Sequence, residues 1–243
     1  MMRFQTILAV YGLIVGAMAD GMAAEPFTYR VPLLERAPVI DGRLSTGEWQ
    51  KAVGFAGMTW QDKLEERAVR CYVAATETDF YFALASELPS AGGKLLAKIS
   101  KNTTKTVFDD AFEVWIDVNP GEERSQLFQM LGNSVGKGAY EVHTRGGGEA
   151  LPEWDGAYEV AHGFVLGHWI TEVRVPVASI SSGRRTTDGI WGIALCRDWK
   201  QPWTFSSAPG GFRGSDTRFT FVSSGALAVQ LAQVTDPFSR DIH

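Results

Sequence analysis

The segment Asp109-Asp110-Ala111-Phe112-Glu113-Val114-Trp115-Ile116-Asp117 brings several carboxylates into a single strand-length stretch. Carboxylates so placed can accept hydrogen bonds from ligand hydroxyls, hold a hard cation, or work as an acid and base pair. Strand alternation puts Ala111, Glu113, Trp115 and Asp117 on one face and Phe112, Val114, Ile116 and Val118 on the other. The second set reads as core. Glu113 is then either an acceptor facing a ligand or a solvated, salt-bridged face residue.

Glycoside hydrolysis would need two carboxyl groups about 5 to 10 Å apart, and Asp110, Glu113 and Glu172 are the strand-borne candidates. No nucleophile elbow, paired-histidine metal motif or phosphate-binding glycine loop accompanies them. The expectation is therefore a protein that binds rather than an enzyme. Calcium would draw on Asp41, on the pair Asp109 and Asp110, or on Asp117 with Asn119, Glu122 and Glu123. No EF-hand-type calcium loop is present, and Asp109 and Asp110 could instead close a loop by accepting from backbone N–H groups.

Other side chains with chemical potential are dispersed. Trp60, Trp154, Trp199 and Trp203 fall in loops or at strand ends, where ligand-contacting aromatics gather. Met130, His143, His162 and His168 are the residues that could hold a haem, without a C-x-x-C-H attachment. Cys71 and Cys196 lack the close spacing of a zinc site; one disulfide between them and two buried thiols both remain open.

The elements that position these residues are strands. Alternating apolar and polar runs recur in FTYRV, AVRCYVA, DFYFALAS, AFEVWIDV, QLFQML, AYEVHT, AYEVAH, WITEVRVP, IWGIALC and TRFTFV, bounded by Gly, Pro, Asn or Asp. Their density predicts an all-β chain, an antiparallel β-sandwich of jelly-roll type with one or two short helices. Helix signals are confined to the capping-box spacing Ser45 to Glu48, which carries Trp49, and to Lys94 to Ser100. The twin GAYEV segments at 138–142 and 156–160 read as two strands of a hairpin.

Residues 1–24 have the pattern of a cleaved signal peptide: Arg3, an apolar run from Ile7 to Ala19 broken by Gly12 and Gly16, and small residues before Glu25. A single domain over 25–222 follows, then a tail at 223–243 that is either an added edge strand or the start of a further segment. The expected location is secreted or periplasmic, off the membrane after cleavage. A formal charge of −5 provides no basic field for nucleic acid.

Five anchors in order, APVIDGRLSTGEWQKA at 37–52, ETDFYFALA at 77–85, DDAFEVWID at 109–117, GFVLGHWITEVRVPVASI at 163–180, and DGIWGIALCRD with PWTFSS at 188–207, resemble carbohydrate-binding module family 9. The resemblance spans about Ala37 to Phe221. It implies a secreted β-sandwich that binds saccharides, often joined to glycoside hydrolases such as xylanases, with structural calcium in some members. Family binders clamp a sugar ring between two tryptophans, whose positions fall here at Val107 or Phe108 and at Phe212. Glu113 matches the carboxylate that accepts from sugar hydroxyls, Gln129 stands where an arginine is usual, and Trp203 matches a tryptophan that packs.

The resulting expectation is a carbohydrate site at Phe108, Glu113, Gln129, Phe212 and Trp199, binding polysaccharide or oligosaccharide by stacking and hydrogen bonds in carbohydrate catabolism. Asp109 and Asp110 are the metal candidates, for calcium. The competing reading is a sandwich whose sugar site has degenerated and which docks a glycoside hydrolase or cell-surface protein.

Overall fold

The computed structural model describes residues 27–89, 93–100, 103–123, 125–135, 140–144 (backbone only), 156–211 and 217–223. The signal segment and the C-terminal tail lie outside these residues. Along the chain come β1 (Thr28–Pro32), β2 (Val53–Ala56), β3 (Thr59–Trp60), β4 (Lys63–Leu64), β5 (Val69–Ala75), β6 (Asp79–Glu87), a 3-10 turn (Thr104–Phe108), β7 (Ala111–Asp117), β8 (Gln126–Asn133), β9 (Tyr140–Thr144), β10 (Glu159–Val165), β11 (His168–Pro176), α1 (Val177–Ile180), β12 (Trp191–Lys200), β13 (Trp203–Ala208) and β14 (Arg218–Val222).

These strands form two sheets. The larger runs β4-β3-β13-β12-β7-β8-β9, with β14 beside β12 and β1 parallel to β14; the smaller runs β10-β11-β6-β5-β2. Phe112, Val114 and Ile116 of β7 face Phe80, Phe82 and Leu84 of β6 in one core, closed by Trp191, Phe219 and Phe221. This is the all-β sandwich that period-two alternation demands, since each inner face must bury its apolar residues against the other.

The short helices form elsewhere than expected. Backbone N–H groups of Leu96, Lys98 and Ile99 donate to the carboxylates of Asp110 and Asp109 at 2.7 to 2.8 Å, which takes them from any helical ladder between 94 and 100. After Ser45 the chain makes only turns, with Gly47 at φ 96°. A single helical turn, Val177–Ile180, and the 3-10 turn before β7 are the helical pieces among the described residues.

The GAYEV segments do not pair with each other. The first enters β9 beside β8 in the larger sheet, and the second leads into β10 beside β11 in the smaller. The chain therefore changes sheet between them. Both cysteines are free and buried: Cys71 belongs to the main core, whereas Cys196 packs with Trp115, Leu127 and Ala194 on the opposite face of the larger sheet.

Candidate functional site

The outer face of the larger sheet holds the cluster closest to a binding site. Antiparallel register sets Glu113 of β7 opposite Cys196 of β12, Trp115 opposite Gln129 of β8, Ala111 opposite Asp198, and Lys200 opposite Trp203 of β13. Directly opposed residues share a face. Glu113, Trp115, Gln129, Asp198, Lys200, Trp203 and Phe205 thus converge on one side of four adjacent strands.

Glu113 is buried, and one of its oxygens accepts from Trp115 Nε1 at 2.6 Å and from Gln129 Nε2 at 3.0 Å. The solvated reading of Glu113 does not hold, because alternation identifies a second face without showing that this face is covered. Burial pushes the Glu113 carboxyl up, and its hydrogen bonds resist the rise. Asp198 beside it is raised further, by burial and then by the charge of Glu113. Two donors fix Glu113 as the ionised partner, so Asp198 holds the proton.

Several polar atoms here lack partners. Both Asp198 oxygens lack a donor from any other residue and Lys200 Nζ lacks an acceptor; the contact that Asp198 does make is the carboxyl pair with Glu113. Each such group costs about 1–3 kcal/mol unless something satisfies it. Lys200 Nζ also stands 4.7 Å from the Phe205 ring centroid and 5.9 Å from that of Trp203. The arrangement offers acceptors, donors and aromatic surface together, as a polyhydroxylated ring requires.

The remaining candidates divide. Phe108 ends the 3-10 turn at the start of β7 and is 69% exposed, so it is a rim aromatic and not core. Phe212 and Trp154 lie outside the described residues. Trp199 is fully buried on the inner side of β12, edge-on to Trp169 with ring centroids 6.2 Å apart and under the guanidinium of Arg67 at 4.3 Å. Its ring faces protein, which removes it as a sugar platform in this structure. Trp203, expected to pack, is instead 60% exposed and stands edge-on to Phe205.

Asp109 and Asp110 do not fit a calcium ion. Asp109 Oδ2 accepts from Lys98 N, Ile99 N and Asn133 Nδ2, and Asp110 accepts from Leu96 N and Lys200 N. A cation site needs converging acceptors, whereas these oxygens face converging donors. Among the described residues no group of three or more His, Cys, Asp or Glu is placed to hold a metal.

The catalytic and haem candidates are likewise separated. Glu172 lies on the smaller sheet, where Oε2 accepts from the backbone of Asp41, Gly42 and Arg43 at 2.8 to 3.2 Å and Oε1 from Trp49 Nε1 at 3.1 Å. It is a structural latch. Arg174, two residues on, pairs with Asp79 at 2.9 Å. Met130 is in the core, His162 shares a hydrogen bond with Thr171, and His168 sits at the β10–β11 turn. Asp198 and Lys200 are the participants that sequence alone did not single out, because alternation places them on one face while only the β7–β12 register brings that face to Glu113.

No family model and no curated protein sequence matches the chain. Solved structures do. A protein from Bacteroides uniformis ATCC 8492, provisionally assigned as carbohydrate-binding, superposes with a TM-score of 0.60 at 14% identity, covering 82% of this chain and 100% of its own. A carbohydrate-binding module of family 9 from Caldicellulosiruptor kristjanssonii in complex with glucose gives 0.55 at 11% identity, covering 81% and 96%. The same organism's family 9 module in complex with cellotriose gives 0.54 at 12%, covering 82% and 97%. The fold is thus like that of family 9 modules.

Proposed function

We propose that this chain binds carbohydrate without covalent chemistry, on the outer face of the larger sheet at the end of β7, β12 and β13. The observation that carries the reading is the cluster of Glu113, Gln129, Asp198 and Lys200, whose carboxyl, amide and ammonium groups match the donors and acceptors of sugar hydroxyls. Phe108 and Trp203 are its aromatic platforms, as the exposed rings at this rim. The sugar-bound state of two structures sharing the fold supports the ligand class. Secretion and a role in carbohydrate catabolism belong to the same reading, with the signal segment as their support. No described helix is long and apolar enough to cross a membrane.

The test is a glycan array probed with the chain from residue 25 and with Glu113→Gln and Phe108→Ala. Selective binding that falls about tenfold in both variants is expected, since each removes roughly one charge-assisted bond or one stacking contact. Silence of folded protein across the array would sink the proposal. Protein docking would then lead, on one observation: Phe164, Val165 and Leu166 are exposed together at the β10–β11 turn, Leu166 at 94%.

A further inference from the structure

A pocket of about 340 Å³ opens at the same end of the sandwich, where the β12–β13 turn meets the segment after β6. Arg67, Lys94 and Lys200 line it, with Pro89, Leu96 and Pro202 among the apolar walls. Three cations around so small a space attract an anion. One carboxylate, Asp110, also lines the pocket, and its two oxygens accept from Leu96 N and Lys200 N, so the lining keeps a surplus of positive charge.

Two of the cations are visibly incomplete. Arg67 Nη1 and Lys200 Nζ are both buried without a hydrogen-bond partner. Arg67 is held in place by its other nitrogen, Nη2, which donates to the Gln201 carbonyl, and by the Trp199 ring beneath its guanidinium. A fixed guanidinium with a spare N–H, lining a pocket that two lysines also line, is a site for a carboxylate. Lys200 joins this pocket to the sugar site, because its charge also acts on Glu113 and Asp198.

We infer that the pocket is an anionic subsite, and that the saccharide bound by this chain carries a carboxylate, as uronic acids do. The inference rests on the carbohydrate reading above and narrows its ligand class. Arg67 binds the carboxylate directly, and Lys200 and Lys94, whose side chain is exposed, add attraction from the lining and the rim.

Calorimetric titration with D-glucuronate and D-glucose tests it, each repeated with sodium acetate as competitor at matched ionic strength. Glucuronate should bind about tenfold more tightly than glucose. Arg67→Ala should erase that advantage and leave glucose binding unchanged. Lys94→Ala, at an exposed position that packing does not depend on, should reduce it several-fold and keeps the test decisive if Arg67→Ala fails to fold. Equal binding of the two sugars overturns the subsite and leaves the carbohydrate reading standing. Acetate competing as well as glucuronate shows a plain anion site and overturns the uronate assignment. Binding of neither sugar overturns both.

Discussion

At the scale of the residue, the chemistry turns on the proton shared between Glu113 and Asp198. Both carboxyls are raised by burial, Asp198 well above the usual aspartate range with the charge of Glu113 adding to the effect. The unfolded chain releases this proton above about pH 4. The folded chain keeps it until its own higher value is reached, so across that window the folded state binds more protons and stability falls as pH rises. Asp198→Asn carries a permanently neutral group of nearly the same shape. The melting temperature of the wild type should therefore drop between pH 5 and pH 8 more than that of Asp198→Asn. Parallel pH profiles would show that the pair does not share a proton. Little of this was legible beforehand: Glu113 stood out by strand alternation, but Asp198 acquires its role only through the register that sets it opposite Ala111, next to Glu113.

At the scale of the element, one carboxylate fastens an irregular segment to a sheet. Glu172 on β11 gathers three backbone N–H groups from Asp41 to Arg43 and the indole of Trp49. Close approach is possible only because two glycines meet there: a Cβ on Gly163 would fall 2.0 Å from the carbonyl oxygen of Gly42, and Gly42 itself has φ 81°. Gly163→Ala should therefore push the segment off β10, and Glu172→Ala should orphan its donors. Each is expected to cost about 3 kcal/mol, near 6 to 12 °C in melting temperature for a chain of this size. Thermal scans within 2 °C of wild type would refute the latch. The core strands β5 to β8 and β10 to β12 were readable because alternation reports burial on one side. Strands β2 to β4 and β13 were not, since they are short and their pairing depends on partners distant in sequence. The expected helix at 94–100 failed for a related reason, because distant Asp109 and Asp110 claim its N–H groups.

At the scale of the whole molecule, the two sheets are joined by a charge as well as by apolar packing. Arg197 points inward from β12 of the larger sheet and is fully buried. Its Nε donates to Ser86 Oγ at 2.8 Å, and Nη2 reaches Thr171 Oγ1 at 3.1 Å and the carbonyls of Leu84 and Trp169, all on the smaller sheet. The guanidinium stands 3.8 Å from the centroid of the Trp169 ring. Burial pulls its pKa down to about 9, which still leaves it charged at neutral pH. A buried cation of this kind stabilises little compared with an apolar replacement of equal volume, yet its removal leaves several acceptors bare. The strut thus acts mainly on sheet alignment: wrong registers would bury the same charge without Ser86 and Thr171 to receive it. Arg197→Ala should cost about 3 kcal/mol or more, by adding a cavity to the unpaired groups. Arg197→Met, which fills most of the space, should recover part of the melting temperature while broadening the transition. A sharp, wild-type-like transition in Arg197→Met would show that apolar packing alone aligns the sheets. The proposed sugar site on the far face of β12 would then owe nothing to this residue.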